Sequence, residues 1–303
     1  MASAVEVPVA AAPRAALRTS PSAARPRLLA YPQLLIGGVA FALLLVGALF
    51  GPLIVQYGPI ETDFTAALTG PSASHVVGTD QLGRDSLSRA LSGARLSLVV
   101  AAGTVILTLG GGVPLGLLSG LRRGWVESLI MRIMDGLLAF PGLILAMAIA
   151  FVLGPSLPTV IVALGVVRLA PLARVVRSQA LSLGQCDYVE SARAVGASSA
   201  RIATAHVLPN IMSTILVQAS LTAGAAIFAE ASLSFLGAGV PPPTPTWGGM
   251  LHDAYPYLEI NPWQTFVPGA CIFLAVLSCN FIGEGIRDLL DPRERTRRGA
   301  STV

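Results

Sequence analysis

The sequence predicts an all-α integral membrane protein with six transmembrane helices and both termini in the cytoplasm. Three observations predict it. Of 303 residues, 53% are hydrophobic and only 12% are charged, whereas a soluble domain carries about 25% charged residues. The mean hydropathy is +0.71. Apolar runs of the roughly 20 residues that a bilayer requires recur along the chain. The basic residues, all Arg and none Lys, fall unevenly on alternate connections between those runs.

Taken in order, residues 1–32 are rich in Ala, Pro and Arg and are predicted to be a disordered cytoplasmic tail. They hold no sustained apolar run and do not read as a short cleaved signal peptide. The first span covers about 33–55 and reads as an uncleaved helix. Residues 56–95 form a polar external connection, with a turn at 78–83 and then an amphipathic interfacial helix. The second span covers about 96–119. Gly112, Gly116 and Gly120 recur along it every four residues, a row that permits close helix contact, and Pro114 is expected to kink it.

The third span covers about 126–153. Arg132 and Asp135 sit three apart near its start, spaced to pair on one face, and Pro141-Gly142 marks a break near mid-membrane. The fourth, about 159–176, contains Arg168 and Pro171. The fifth, about 211–231, contains Glu230 near its outer end, and the sixth covers about 266–286. The chain thus divides into a tail (1–32), a first helix with its external segment (33–95), a transmembrane domain (96–290) containing a cytoplasmic loop at 178–210, and a basic tail (291–303).

Orientation follows from the Arg residues. One side carries Arg14, Arg18, Arg25, Arg27, Arg122, Arg123, Arg174, Arg177, Arg193, Arg201, Arg287, Arg293, Arg295, Arg297 and Arg298; the other carries Arg84, Arg89 and Arg95. Cytoplasmic loops carry the excess of basic residues, so both termini and the 178–210 loop are placed in the cytoplasm.

That loop has its own design. Asp187 is suited to an N-cap, with Glu190 three residues on as in a capping box. Tyr188, Ala192 and Val195 then share one helical face. Gly196 follows as the residue for a left-handed helix end. Ser198 is placed to cap a second short helix. Pro209 suits the first turn of the next span, where a missing N–H costs little. The expected product is a helix–Gly–helix knuckle at the membrane surface.

Glu190, Ala192, Gly196, Leu208 and Pro209 resemble the EAA loop of ABC importer permeases. Ser191 stands where the first Ala is usual, and His206 where Ile is usual. In that family the loop is a coupling helix that inserts into a groove on the ATPase. The resemblance therefore implies a coupling role for Tyr188, Glu190, Ala192, Gly196, Ala197, Leu208 and Pro209.

Further segments narrow the resemblance to the C-type subunit of the dipeptide, oligopeptide and nickel permeases. They are Gly78-Thr79-Asp80-Gln81-Leu82-Gly83-Arg84-Asp85 with Ser88-Arg89 and Gly93-Ala94-Arg95, then Glu230-Ala231-Ser232-Leu233-Ser234-Phe235-Leu236-Gly237 with Trp247-Gly248, and Arg287-Asp288 with Asp291-Pro292-Arg293. Together they cover roughly residues 31–293. The resemblance implies a type I ABC importer permease fold in a bacterial cytoplasmic membrane. It also implies a homologous second permease subunit, two ATPase subunits and an extracytoplasmic substrate-binding protein. The chain would form half of a pathway for short peptides, with nickel as the alternative cargo. It would bind no cofactor and catalyse no reaction, since ATP and Mg belong to the ATPase subunits. A stand-alone secondary carrier is a rival class. Against it stand the knuckle and the lack of an inverted repeat of broken helices.

Other classes are excluded by composition. A P-loop needs a Lys against the phosphates, and the chain has none. Cys186, Cys271 and Cys279 show no CxxC spacing, and His75, His206 and His252 are far apart, so no metal site is predicted. Scattered Arg with few aromatic residues argues against nucleic acid.

Charges within spans are expensive and face a bundle interior or a wet path. Asp135 reads as one half of a pair with Arg132 and as a candidate for the pathway. Glu230 lines an outer gate or satisfies a nearby helix end, and Glu284 reads as structural. The family commonly has Trp in the stretch that holds Arg168. Nine residues from Thr159, Arg168 lies about 14 Å deep, near the middle of a core roughly 30 Å thick. It either pairs with a carboxylate on the partner permease or snorkels to the inner surface, or it lines the pathway and attracts a peptide's C-terminal carboxylate.

Overall fold

The computed structural model describes residues 31–122 and 124–290. Residues 1–30 of the tail expected at 1–32, the tail expected at 291–303, and Arg123 lie outside the described residues, and Pro32 already belongs to the first helix.

Each predicted apolar run forms a helix, because in lipid a helix alone satisfies its own backbone groups within one segment. Helix α1 is Pro32–Ile54, with Pro in its first turn. Helix α2, Ser86–Leu121, has 36 residues, about 54 Å at 1.5 Å per residue. It therefore absorbs the interfacial helix expected before the second span. Pro114 lies inside α2 without ending it. The third span is broken, as expected, into helices α3 (Trp125–Leu138) and α4 (Gly142–Leu153). They meet at 91° across the Pro141-Gly142 break, because Pro141 cannot continue the bonding ladder. Helix α5 is Leu157–Leu183, capped by Ser156, whose hydroxyl accepts from the Thr159 N–H.

Two short helices follow, α6 (Asp187–Ala194) and α7 (Ser199–Arg201). Helix α8 is Leu208–Phe235, α9 is Trp247–Ala254 and α10 is Trp263–Leu290. Among the described residues, five helices are long and apolar enough to cross a membrane, or six if the bent α3–α4 pair counts as one span.

Helix α2 lies along α5, and the glycine row makes the approach possible. A Cβ on Gly116 would stand 2.6 Å from Val176 Cβ and 2.7 Å from the Ala173 carbonyl. One on Gly120 would stand 2.6 Å from Ala180 Cβ. Gly116→Leu should therefore force α2 and α5 apart, at about 1–3 kcal/mol or more for an overpacked core. A lower melting temperature and a lower yield of folded subunit in detergent are expected; unchanged values would contradict this packing.

The end of the bundle opposite the knuckle is closed by polar contacts. Asp85 caps α2 through a 2.8 Å bond from the Ser88 N–H, and its other oxygen lies 3.0 Å from His75 Nδ1. Arg84 Nε donates to Asp80 Oδ2 at 2.6 Å, and Arg89 Nε lies 3.3 Å from the same oxygen. Asp253, 169 residues from Arg84 in sequence, accepts from Arg84 Nη2 at 3.3 Å. Asp80, Arg84, Asp85 and Arg89 are all buried. Asp80, Arg84, Arg89 and Asp253 form one charge network, and Asp85 lies beside it with His75. Trp247 is fully buried beside it and donates from Nε1 to the Ala90 carbonyl at 2.9 Å.

Candidate functional site

The knuckle starts one residue earlier than the capping pattern predicts. Cys186 is the N-cap of α6, and Asp187 is the first helical residue. The Val189 and Glu190 N–H groups donate to the Cys186 carbonyl at 2.9 and 3.1 Å, and no side chain caps this end. The cause lies upstream. Gly184, Gln185 and Cys186 bond back to Ala180, Ser182 and Leu183, and this tight exit from α5 brings Cys186 into the cap position. Asp187 and Glu190 remain in the first turn, where the helix dipole favours negative charge.

The far end of α6 follows the sequence closely. Gly196 has φ +87°. Its N–H donates to the Arg193 carbonyl at 2.9 Å, and the Ala197 N–H donates to the Ala192 carbonyl at 3.0 Å. These two bonds around a left-handed residue are a Schellman motif. Ser198 then caps α7, accepting from the Arg201 N–H at 3.3 Å. Pro209 stands in the first turn of α8, as expected, but α8 is not a separate helix. Ser199–Phe235 is one helical run of 37 residues, with a π-helical segment at Ile202–Val207 just before α8. The Leu208 N–H reaches back to Ala203, and Pro209, lacking an N–H, follows this wide turn.

One side of α6 is anchored. Val189, at 0% exposure, packs among Leu172, Val176, Ile202, Val207 and Ile211. The residues on the expected face stand elsewhere. Tyr188 is 44% exposed and Val195 86% exposed, while Ala192 is half-buried. Glu190, Gly196 and Pro209 are exposed, and Ala197 and Leu208 are half-buried. The Tyr188 and His206 rings lie 6.4 Å apart between centroids. Val189 was not singled out from sequence. Its only signal is that it is the apolar residue off the Tyr188/Ala192/Val195 stripe, and so belongs to the opposite face.

The three intramembrane candidates separate. Asp135 pairs with Arg174 of α5, and Glu127 of α3 pairs with Arg177 at 3.0 Å from its Nε. Both pairs cross from α3 to α5. The expected Arg132–Asp135 pair does not form: α5 offers Asp135 a partner across the helix boundary, and Arg132 is exposed. Glu230 is fully buried between α8 and α2, where Ser234 Oγ donates to it at 2.8 Å and Ser97 Oγ at 3.1 Å. Arg168 borders a cavity of about 390 Å³. Leu137 and Phe140 beside the bend, Leu143 of α4, Val167 of α5 and Ala229 of α8 are among its walls. Among the described residues, no carboxylate lies within ion-pair distance of Arg168.

No metal-binding group of three or more His, Cys, Asp or Glu occurs among the described residues. All three cysteines are free thiols.

Comparison with known proteins agrees with this geometry. Residues 112–296 match the family model described as binding-protein-dependent transport system inner membrane component. The chain is 44% identical to the di/tripeptide transport system permease protein DppC of Pseudomonas aeruginosa, covering 85% of this chain and 88% of that one. It is 42% identical to the glutathione transport system permease protein GsiD of Pectobacterium atrosepticum, covering 84% and 85%. Among solved structures, it is similar to an inward-facing form of the MetNI methionine ABC transporter. That match has a TM-score of 0.57 and 20% identity, covering 67% of this chain and 96% of that one. At that identity the likeness establishes the fold.

Proposed function

The chain belongs to the family of binding-protein-dependent transport system inner membrane components, and from that premise we propose how it works. It is a multi-pass permease subunit of a bacterial inner-membrane importer driven by ATP, and its cargo is short peptides. A homologous permease completes the pathway, two ATPase subunits dock on the cytoplasmic face, and a binding protein delivers cargo from outside. The permease names of its relatives support this reading.

The observation that carries the mechanism is the half-anchored knuckle. Through Val189, α6 is fixed to α5 and to the start of the α8 run. Its other side, with Tyr188, Glu190 and Val195, is open. We assign that side, with Ala192, Gly196, Ala197, Leu208 and Pro209, to ATPase docking. A displacement of α6 by closing ATPases then moves α5 and α8 together, because packed interiors transmit strain. Those two helices carry part of the wall around Arg168.

Disulfide trapping tests the docking. In a background free of the native cysteines, Val195→Cys should cross-link to a single Cys placed in the ATPase groove, in an ATP-dependent manner. Absence of any ATPase adduct from an assembled transporter would contradict the assignment.

Topology is tested with two exposed positions, Ser199 and Thr244. Ser199→Cys should be labelled by an impermeant reagent only after the cytoplasmic face is opened, and Thr244→Cys from intact cells. Labelling of both from outside would reverse the orientation read from the Arg distribution.

A further inference from the structure

We infer that Arg168 is a specificity residue which receives the C-terminal carboxylate of a peptide on its way through the membrane. The inference rests on the reading of the chain as half of a peptide pathway. Its observation is the pairing of one cation with unfilled apolar space. Arg168 lies eleven residues into α5, counted from Leu157, well inside a helix that is apolar enough to span a bilayer. A guanidinium at that depth is costly against lipid and belongs beside water or a counter-charge.

Among the described residues, no acidic side chain pairs with Arg168. Two acidic side chains on helices that wall the cavity are engaged elsewhere. Asp135 is held by Arg174, and Glu230 by Ser97 and Ser234. The hydroxyl of Ser232, in the wall, donates to its own helix at the Phe228 carbonyl. The remaining wall is aliphatic or aromatic, contributed by the α3–α4 bend, α5 and α8. A volume of about 390 Å³ lies within the range of small-ligand sites, ~300–1,000 Å³.

This combination fits a defined chemistry. A planar guanidinium binds a carboxylate through two parallel hydrogen bonds, and the aliphatic wall takes an apolar side chain beside it. The favoured cargo is a short peptide with a free C-terminus and an apolar last residue. A C-terminal amide lacks the charge, and an acidic last residue places a second charge against Leu137, Leu143 and Val167. The chain's position between α5 and α8 also gives the contact a use. Both helices are fixed to the knuckle, so movement of α6 alters the space around Arg168 and releases the carboxylate.

The test uses the complete transporter in proteoliposomes with its binding protein. Uptake of a dipeptide ending in free Leu is compared with uptake of its C-amide, for wild type, Arg168→Gln and Arg168→Lys. The binding protein is the same in every arm, so its own preference cancels when variants are divided by wild type. Arg168→Gln should lower free-acid uptake at least about tenfold, or about 1.4 kcal/mol, and change amide uptake less than about twofold. Co-purification of all subunits should be unchanged, and Arg168→Lys should recover part of the loss.

Equal loss for acid and amide, no loss for either, or failure of the variant to assemble would overturn the inference and assign Arg168 to subunit pairing or to none. If the wild type imports no amide, the Lys variant decides: recovery with intact assembly supports the carboxylate contact, and a value equal to Arg168→Gln sinks it. A wild-type transporter that takes up neither peptide with ATP would instead fail the peptide-import reading itself.

Discussion

Replacing Gly196 by Asp should abolish ATP-driven uptake while leaving the subunit inserted and folded. Two features of the position predict this division. The residue sits at φ +87° in the Schellman motif that turns α6 into α7. A left-handed residue with a Cβ costs roughly 1–2 kcal/mol, too little to unfold a domain of this size. Within the subunit, a Cβ added at Gly196 would meet nothing within 4 Å. The damage therefore falls outside the subunit, on the open side of the knuckle beside Val195. There the Asp side chain adds both bulk and charge to a surface assigned to the ATPase. Membrane yield should stay near wild type, ATPase co-purification should drop about tenfold or more, and vesicle uptake should fall to background. Gly196→Ala, which adds only the strain and a methyl, should fall between. Full uptake by Gly196→Asp, or loss of the subunit before assembly, would contradict the coupling role of this residue.

The second large effect is expected at the opposite end. Asp80→Ala should strongly destabilise the closed cap over α2 and α9. The Asp80 carboxylate serves Arg84 and Arg89 together, and its Oδ1 also accepts the Leu82 and Arg84 N–H groups at 2.9 Å each. Its removal leaves two buried guanidinium groups sharing only Asp253 and the Pro59 carbonyl. Breaking a buried charge pair from one side costs about 3–5 kcal/mol. Asp253→Ala should cost less, because Asp253 is 33% exposed and its contacts, at 3.3 and 3.7 Å, are longer. Thermal unfolding of the detergent-purified subunit reads both. The ordering Asp80 over Asp253 is the outcome that matters; equal or reversed losses would show that the network is not centred on Asp80. The neighbouring turn allows no easy repair. Gly83, at φ +73°, brings its Cα against the Asp63 carbonyl, where a Cβ would collide.

The spans were legible in the sequence because their signal is composition over about 20 residues, which neighbouring contacts do not reverse. The glycine row on α2 was equally legible: spacing of four places Gly112, Gly116 and Gly120 on one face whatever lies opposite. Gly196 and Ser198 were read correctly because helix ends are decided by one or two residues. Asp187 was misplaced for the converse reason. Its cap position was taken by Cys186, through bonds from the end of α5 that no local pattern announces. The Arg132–Asp135 pairing failed similarly, since a salt bridge within one helix competes with any cation on a neighbouring helix, and Arg174 won. Asp253 and Val189 illustrate the remaining limit. Their roles depend on what packs against them, 169 residues away from Arg84 in one case and on the hidden face of a short helix in the other. The merging of the interfacial helix into α2 has a simpler cause. Nothing between Ser86 and Leu96 breaks a helix, so the polar turns before the span continue its ladder.

The central claim is that this chain carries peptides only as part of an ATP-driven assembly to which it is coupled through the knuckle. Uptake of a labelled dipeptide into proteoliposomes, with ATP supplied to the face that bears the ATPase subunits, tests it most directly. Uptake should require this chain, the ATPases, the binding protein and hydrolysable ATP together. Accumulation of the dipeptide by vesicles that hold this chain without the ATPases would contradict it.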